Sequence, residues 1–139
     1  MSRVYLFVTG LTAIIFTTIS HAHACAPGSA VELDAANNAE FRSFADFELE
    51  AISKPFEIDL YFCSEHDVHI ERIKVDATMP AHQHGMNYTP EIKRTDNGNF
   101  SVSGMFFHMP GVWQLEVSAY QTSASVNEPT LFTLEIMAQ

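Results

Sequence analysis

The sequence predicts an all-β protein, an immunoglobulin-like β-sandwich of about seven antiparallel strands. Three observations carry this: apolar and polar residues alternate with period two in seven short segments, turn formers separate those segments, and no stretch keeps a helical period. The size agrees, because the region from 25 to 139 suits one domain able to bury a core of its own.

The first strand is read in 41–52, where Phe44, Asp46, Glu48, Glu50 and Ile52 interleave with Ala45, Phe47, Leu49 and Ala51. One face is mainly apolar and the other mainly charged, the mark of a half-buried strand. Next come 56–63, where Phe56, Ile58, Leu60 and Phe62 share a side, and 70–77, where Ile70, Arg72, Lys74 and Asp76 oppose Glu71, Ile73, Val75 and Ala77. Weaker patterns at 91–95 and 100–107 flank Asp96-Asn97-Gly98-Asn99, a strong turn. In 112–120 Trp113, Leu115, Val117 and Ala119 fall on one side, and 131–137 closes the series. Pro110-Gly111 forms a turn just before Trp113, so the indole is expected to plug the core near a corner of the sandwich. Residues 25–40, rich in Ala and Asn and without a period, read as an N-terminal tether or loosely packed first segment, leaving 41–139 as the sandwich. The chain has no internal repeat, low-complexity tract or second domain.

Residues 1–24 have a different character. Arg3 is followed by the uncharged stretch 4–19 and then Ala22-His23-Ala24, a basic start, an apolar centre and a small-x-small end. That is the form of a secretory signal peptide, so the chain is expected to be exported, with the periplasm as destination. An uncleaved anchor is the alternative, since the apolar run is near the lower limit for spanning a bilayer. Cleavage after Ala22 would leave His23 at the amino terminus, offering an amine and an imidazole together to Cu(II). Cleavage after Ala24 would make Cys25 the first residue. A lipid anchor through Cys25 is then the alternative, although Ala22-His23-Ala24 departs from the usual lipoprotein signal. Cys25 and Cys63 are the only cysteines, and an even count in an exported chain favours a disulfide.

Of the 7 basic side chains Arg3 alone lies in 1–24, which leaves six against 17 acidic ones, a net charge of −11 for the rest. With nothing basic clustered in sequence, nucleic acid is excluded as a partner, whereas a cation or a basic protein surface is compatible.

The chemistry concentrates in two turn-flanked segments, Met79-Pro80-Ala81-His82-Gln83-His84-Gly85-Met86 and Gly104-Met105-Phe106-Phe107-His108-Met109-Pro110-Gly111. Imidazole and thioether donors together suit copper, with thioether favouring Cu(I), whereas Mg and Ca want oxygen. In an extended segment His82, His84 and Met86 would point the same way. Met79 lies off that alternation and needs the bend at Pro80 to join. If Met105, Phe107 and Met109 form the core face, His108 faces the other way. The expected ligands are therefore His82, His84 and His108, with Met86 as the first thioether and Met79 and Met109 in reserve. The bland alternative is that Met fills core gaps and His bonds backbone near turns. His66 and His69, in an acidic turn, are read as solvated loop residues. No Gly-x-Ser-x-Gly or His-Glu-x-x-His motif occurs, and paired cysteines would leave no thiol nucleophile, so no enzyme is expected.

At Val75-Asp76-Ala77-Thr78-Met79-Pro80-Ala81-His82-Gln83-His84-Gly85-Met86 and Phe107-His108-Met109-Pro110-Gly111-Val112-Trp113-Gln114-Leu115 the chain resembles the YtkA-like and FixH-like family of exported domains, over roughly Ala51 to Met137. The resemblance implies an immunoglobulin-like sandwich in the bacterial periplasm or at the cell surface, in the setting of copper handling or cytochrome oxidase assembly, with no established enzyme activity. Two departures stand out. FixH proteins proper keep a transmembrane anchor, while the leader here looks cleavable; and periplasmic Cu(I) chaperones of the neighbouring kind show His-x-Met, while His108 and Met109 are adjacent. The resulting expectation is an exported copper-binding accessory or carrier protein whose partners are the copper ion and a periplasmic or membrane protein. The alternative is a metal-free periplasmic interaction domain.

Overall fold

A computed structural model describes residues 25–36, 39–49, 51–122 and 128–139. The expected signal peptide at 1–24, and with it the alternative placing His23 at the amino terminus, lies outside the described residues. In chain order the strands are β1 (Val31–Glu32), β2 (Asp34–Ala35), β3 (Arg42–Asp46), β4 (Pro55–Cys63), β5 (Ile70–Met79), β6 (His84–Gly85), β7 (Glu91–Arg94), β8 (Phe100–Phe106), β9 (Gly111–Gln121) and β10 (Thr130–Ala138). They form two five-stranded sheets, ordered β1-β3-β4-β8-β7 and β2-β10-β9-β5-β6, with every pairing antiparallel. This is the two-sheet sandwich that the period-two patterning predicts. The seven segments read from the alternation are the seven longer strands. The count is ten because three two-residue strands, β1, β2 and β6, are too short to show a period.

The inward residues of the two sheets meet in one core, with Ile58 and Leu60 of β4 and Val102 of β8 facing Leu115 and Val117 of β9 and Phe132 of β10, all essentially buried. Two departures from strict alternation have local causes. In β5 the register shifts between Ile70 and Arg72 against β9, and that bulge turns Ile70 into the core together with Ile73, Val75 and Ala77. β3 ends at Asp46, short of the expected 52, because the chain leaves the first sheet there and crosses to the end of the second, where the Ile52 amide donates to the Gln139 carbonyl at 3.4 Å. Phe47 and Leu49 still pack on the core along this crossing, so the amphipathic pattern outlasts the strand.

Residues 25–36, part of the segment read as a tether or a loosely packed first segment, are fastened to both sheets. β1 pairs with β3 and β2 with β10, and Leu33 between them is buried. A Cys25–Cys63 disulfide, Cα atoms 5.8 Å apart, pins the start of this segment to the end of β4. A sulfur bonded in this way is not free to carry a lipid. The bridge spans 38 residues; replacing both cysteines by serine is expected to lower the unfolding free energy by about 3–4 kcal/mol on loop-closure entropy. Denaturant unfolding of the two proteins, each fitted with its own m-value, checks this.

The strand directions fix which loops share an end. Pro55 of β4 pairs with Phe106 of β8, and Gly111 of β9 with Ala138 of β10. The β5–β6 and β8–β9 connections therefore lie together at one end, while Cys63, His66 and His69 lie at the other, a strand length of about 30 Å away.

Candidate metal centre

The first ligand segment is a hairpin and not an extended run. Met79 of β5 pairs with His84 of β6, so 80–83 form a four-residue turn in which the His82 amide donates to the Met79 carbonyl at 3.0 Å. Gln83 closes it in the left-handed region, at φ 53°. Because Pro80 supplies no amide donor and fixes its own φ, it suits the turn and ends β5. His82 is thus carried on the exposed turn and His84 on the strand. Their rings still approach, with centroids 6.0 Å apart.

The second segment brings His108 from the β8–β9 connection to the other side of His84, centroids 5.4 Å apart and planes 24° from parallel. The three imidazoles form a short row with His84 in the middle. Two imidazoles sharing one ion at about 2.0 Å per bond have ring centroids about 5–6.5 Å apart. Each neighbouring pair in the row meets that spacing. Among the described residues no group of three or more His, Cys, Asp or Glu side chains stands ready to hold a metal ion.

Trp113 is the floor of this row. The indole, fully buried, stacks on Phe107 with centroids 4.7 Å apart and planes 10° from parallel. His84 and His108 each meet the indole in a T-shaped contact, with centroids 6.2 and 5.3 Å away. The indole Nε1 donates to the Met109 carbonyl at 3.0 Å, which ties the turn carrying His108 to the core. The core role expected for Trp113 holds, and beside it stands a contact with two candidate ligands that periodicity could not reveal. The available signal was the four-residue step from Met109 to Trp113 across Pro110-Gly111.

His84 is half-buried, and its Nε2 is enclosed with no hydrogen-bond partner. A buried polar atom left so costs roughly 1–3 kcal/mol unless something binds it. A lone pair on a neutral imidazole nitrogen is a metal ligand, so the donor set fits a soft or borderline cation such as copper.

The thioethers are placed less uniformly. Met79, 1% exposed, lies in the core with its Cε against Gly111, where an added Cβ would come within 2.9 Å at a φ of +129°. Glycine at 111 therefore makes room for Met79 as well as for the turn. Met86 is half-buried and lines a concavity with Val75, Asp76, Tyr88 and Pro90 along the edge of β5. Met109 is half-buried against the core next to His108. His66 and His69 are exposed in the loop at the far end, as expected of solvated residues.

Tyr88 braces the segment that follows β6. Its hydroxyl donates to the Phe106 carbonyl at the end of β8, and partial burial pushes the phenol up to about 12 despite that bond. An unfolded tyrosine ionises near 10, so the folded form keeps a proton that the unfolded form loses, and this contribution to stability is present below about pH 10 and lost between about 10 and 12. Absorbance titration is expected to show a late phenolate step near pH 12 that is missing in Tyr88→Phe.

Fold and site together define a β-sandwich domain with a histidine row over a tryptophan floor at one end. The model of the YtkA-like family matches residues 51–118, which take in both ligand segments, and over that stretch the chain is similar to that family. The match supports the YtkA-like half of the resemblance read in the sequence and gives nothing for the FixH-like half. No curated protein and no solved structure matches the chain.

Proposed function

We propose that this protein is an exported copper-binding accessory or carrier protein, working in the periplasm in metal handling, with oxidase assembly as one setting, and without catalytic activity of its own. Copper is the cargo. His82, His84 and His108 hold it, and Met109 and Met86 are the thioethers nearest to joining them in sequence. The observation that carries the reading is the enclosed, unpartnered Nε2 of His84 between two further imidazoles. Because His82 rides on an exposed turn, a ligand can be offered or withdrawn without disturbing the core, which suits a protein that passes its metal on.

A second reading, a metal-free interaction domain, is favoured by one observation. Met79, Met86 and Met109 all pack on the core, as gap-filling methionines do. The two readings separate in fluorescence, because Trp113 is the only tryptophan and touches two of the three imidazoles. On adding copper under reducing and then oxidising conditions, the carrier reading expects saturable quenching at one equivalent. Emission that does not change, or that falls equally in the His84→Ala protein, supports the metal-free domain.

A further inference from the structure

The edge of the second sheet holds a feature unrelated to the histidines. β5 is paired with β9 along nearly its whole length, but on its other side β6 covers only Thr78 and Met79. The Met86 amide donates to the Ala77 carbonyl, so the backbone groups of Ala77 point toward that outer edge. In an antiparallel ladder the direction alternates, so those of Val75 and Ile73 point the same way. Both ends of this stretch are closed. The Ala77 amide is taken by the Asp76 carboxylate at 2.8 Å, and Arg94 donates to the Ile70 and Glu71 carbonyls. What remains open is a slot of two residues, each offering one N–H and one C=O, with no strand beside it among the described residues.

The slot is the back wall of a groove of about 500 Å³, whose opposite wall is Thr89, Pro90 and Ile92. Its charge is uneven. Of the six basic side chains outside 1–24, Arg72, Lys74 and Arg94 gather at one end, on an otherwise acidic protein, while Asp76 and Glu116 lie at the other. Arg72 and Lys74 are kept on the outer face by the Tyr120 ring, which lies 3.4 Å and 5.8 Å from their charged groups.

We propose that this edge binds an extended acidic peptide from a partner protein by strand addition. The peptide backbone pairs with Ile73 and Val75, alternate side chains drop toward Pro90 and Ile92, and its outward carboxylates meet Arg72 and Lys74. A second copy of this chain fits poorly. The antiparallel register that pairs Ile73 with Val75 of the other copy sets Lys74 against Lys74, a like-charge cross-strand pair. The inference is independent of the copper reading.

The test is amide-resolved NMR and hydrogen exchange on the purified protein, titrated with the acetylated, amidated peptide Glu-Val-Glu-Val-Thr and with its Lys-Val-Lys-Val-Thr counterpart. The proposal expects the acidic peptide to shift and protect the Ile73 and Val75 amides. It expects binding at least tenfold weaker both for the basic peptide and in the exposed charge reversal Arg72→Glu/Lys74→Glu, whose fold is verified from the same spectra. No protection at these two amides, equal binding of the two peptides, unchanged binding in the charge reversal, or concentration-dependent protection without peptide would each overturn it.

Discussion

Replacing His84 by alanine is expected to weaken copper binding on the order of a hundredfold, the upper end of what even supporting residues of a metal site cost when removed. His84 is the middle imidazole, the one ring within reach of both others, and the one whose nitrogen is enclosed without a partner. His82→Ala is expected to cost about tenfold, because an exposed turn residue is more easily replaced by water or a neighbouring donor. Stability should move in the opposite sense. Removing the stranded nitrogen relieves an unsatisfied group, so the metal-free His84→Ala protein should be no less stable than the parent, within roughly 0.5 kcal/mol. Titration calorimetry and denaturant unfolding of the same two variants check both halves.

The second large effect is structural. Trp113→Ala is expected to lower stability by about 3–5 kcal/mol, the range for emptying a large aromatic site in a core. The indole is stacked on Phe107 and enclosed by the ends of both sheets, so the space cannot readily collapse. Trp113→Phe separates packing from tethering. It keeps an aromatic ring against Phe107 but loses the donor to the Met109 carbonyl, at an expected cost of about 1–2 kcal/mol. Since that hydrogen bond holds the turn bearing His108, Trp113→Phe should also lower copper affinity, more than the comparable core change Phe132→Leu at a site away from the histidines. Urea unfolding gives the stability and a chelator competition gives the affinity.

How far the sequence revealed this arrangement depends on how many residues each feature occupies. β4, β5, β9 and β10 were legible because nine or more residues repeat the same inward and outward choice. β1, β2 and β6 were not, since two residues hold no period, and what fixes β1 and β2 is pairing with distant strands and a disulfide to Cys63. The bulge at Ile70 was invisible for a related reason, because a register shift belongs to the pair β5–β9 and not to either strand alone.

In the candidate site, residue type was informative and local geometry less so. Alternation gave His82 and His84 a common direction in an extended chain, and the structure reaches the same proximity through a tight turn closed by the positive φ of Gln83. The expectation that His108 faces away from Met105, Phe107 and Met109 assumed a strand running through all of them; Met105 and Phe107 are buried, but β8 ends at Phe106 and His108 stands in the connection after it. The thioether ranking rested on the same alternation, which put Met86 first and Met79 off the line. Met79 sits at an inward position of β5 and enters the core because Gly111 leaves room for it, a fact of tertiary packing across two strands.

The most direct measurement is a competitive titration of the purified protein with Cu(I) and with Cu(II) against chelators of known affinity, beside the His82→Ala/His84→Ala/His108→Ala protein, with mass spectrometry of the same samples to define the amino terminus. A single tight copper equivalent in the parent, lost in the triple variant while the fold and the Cys25–Cys63 bridge persist, is the predicted result. Copper binding no tighter than that of an ordinary acidic protein, or tight binding that survives loss of all three imidazoles, would contradict the account.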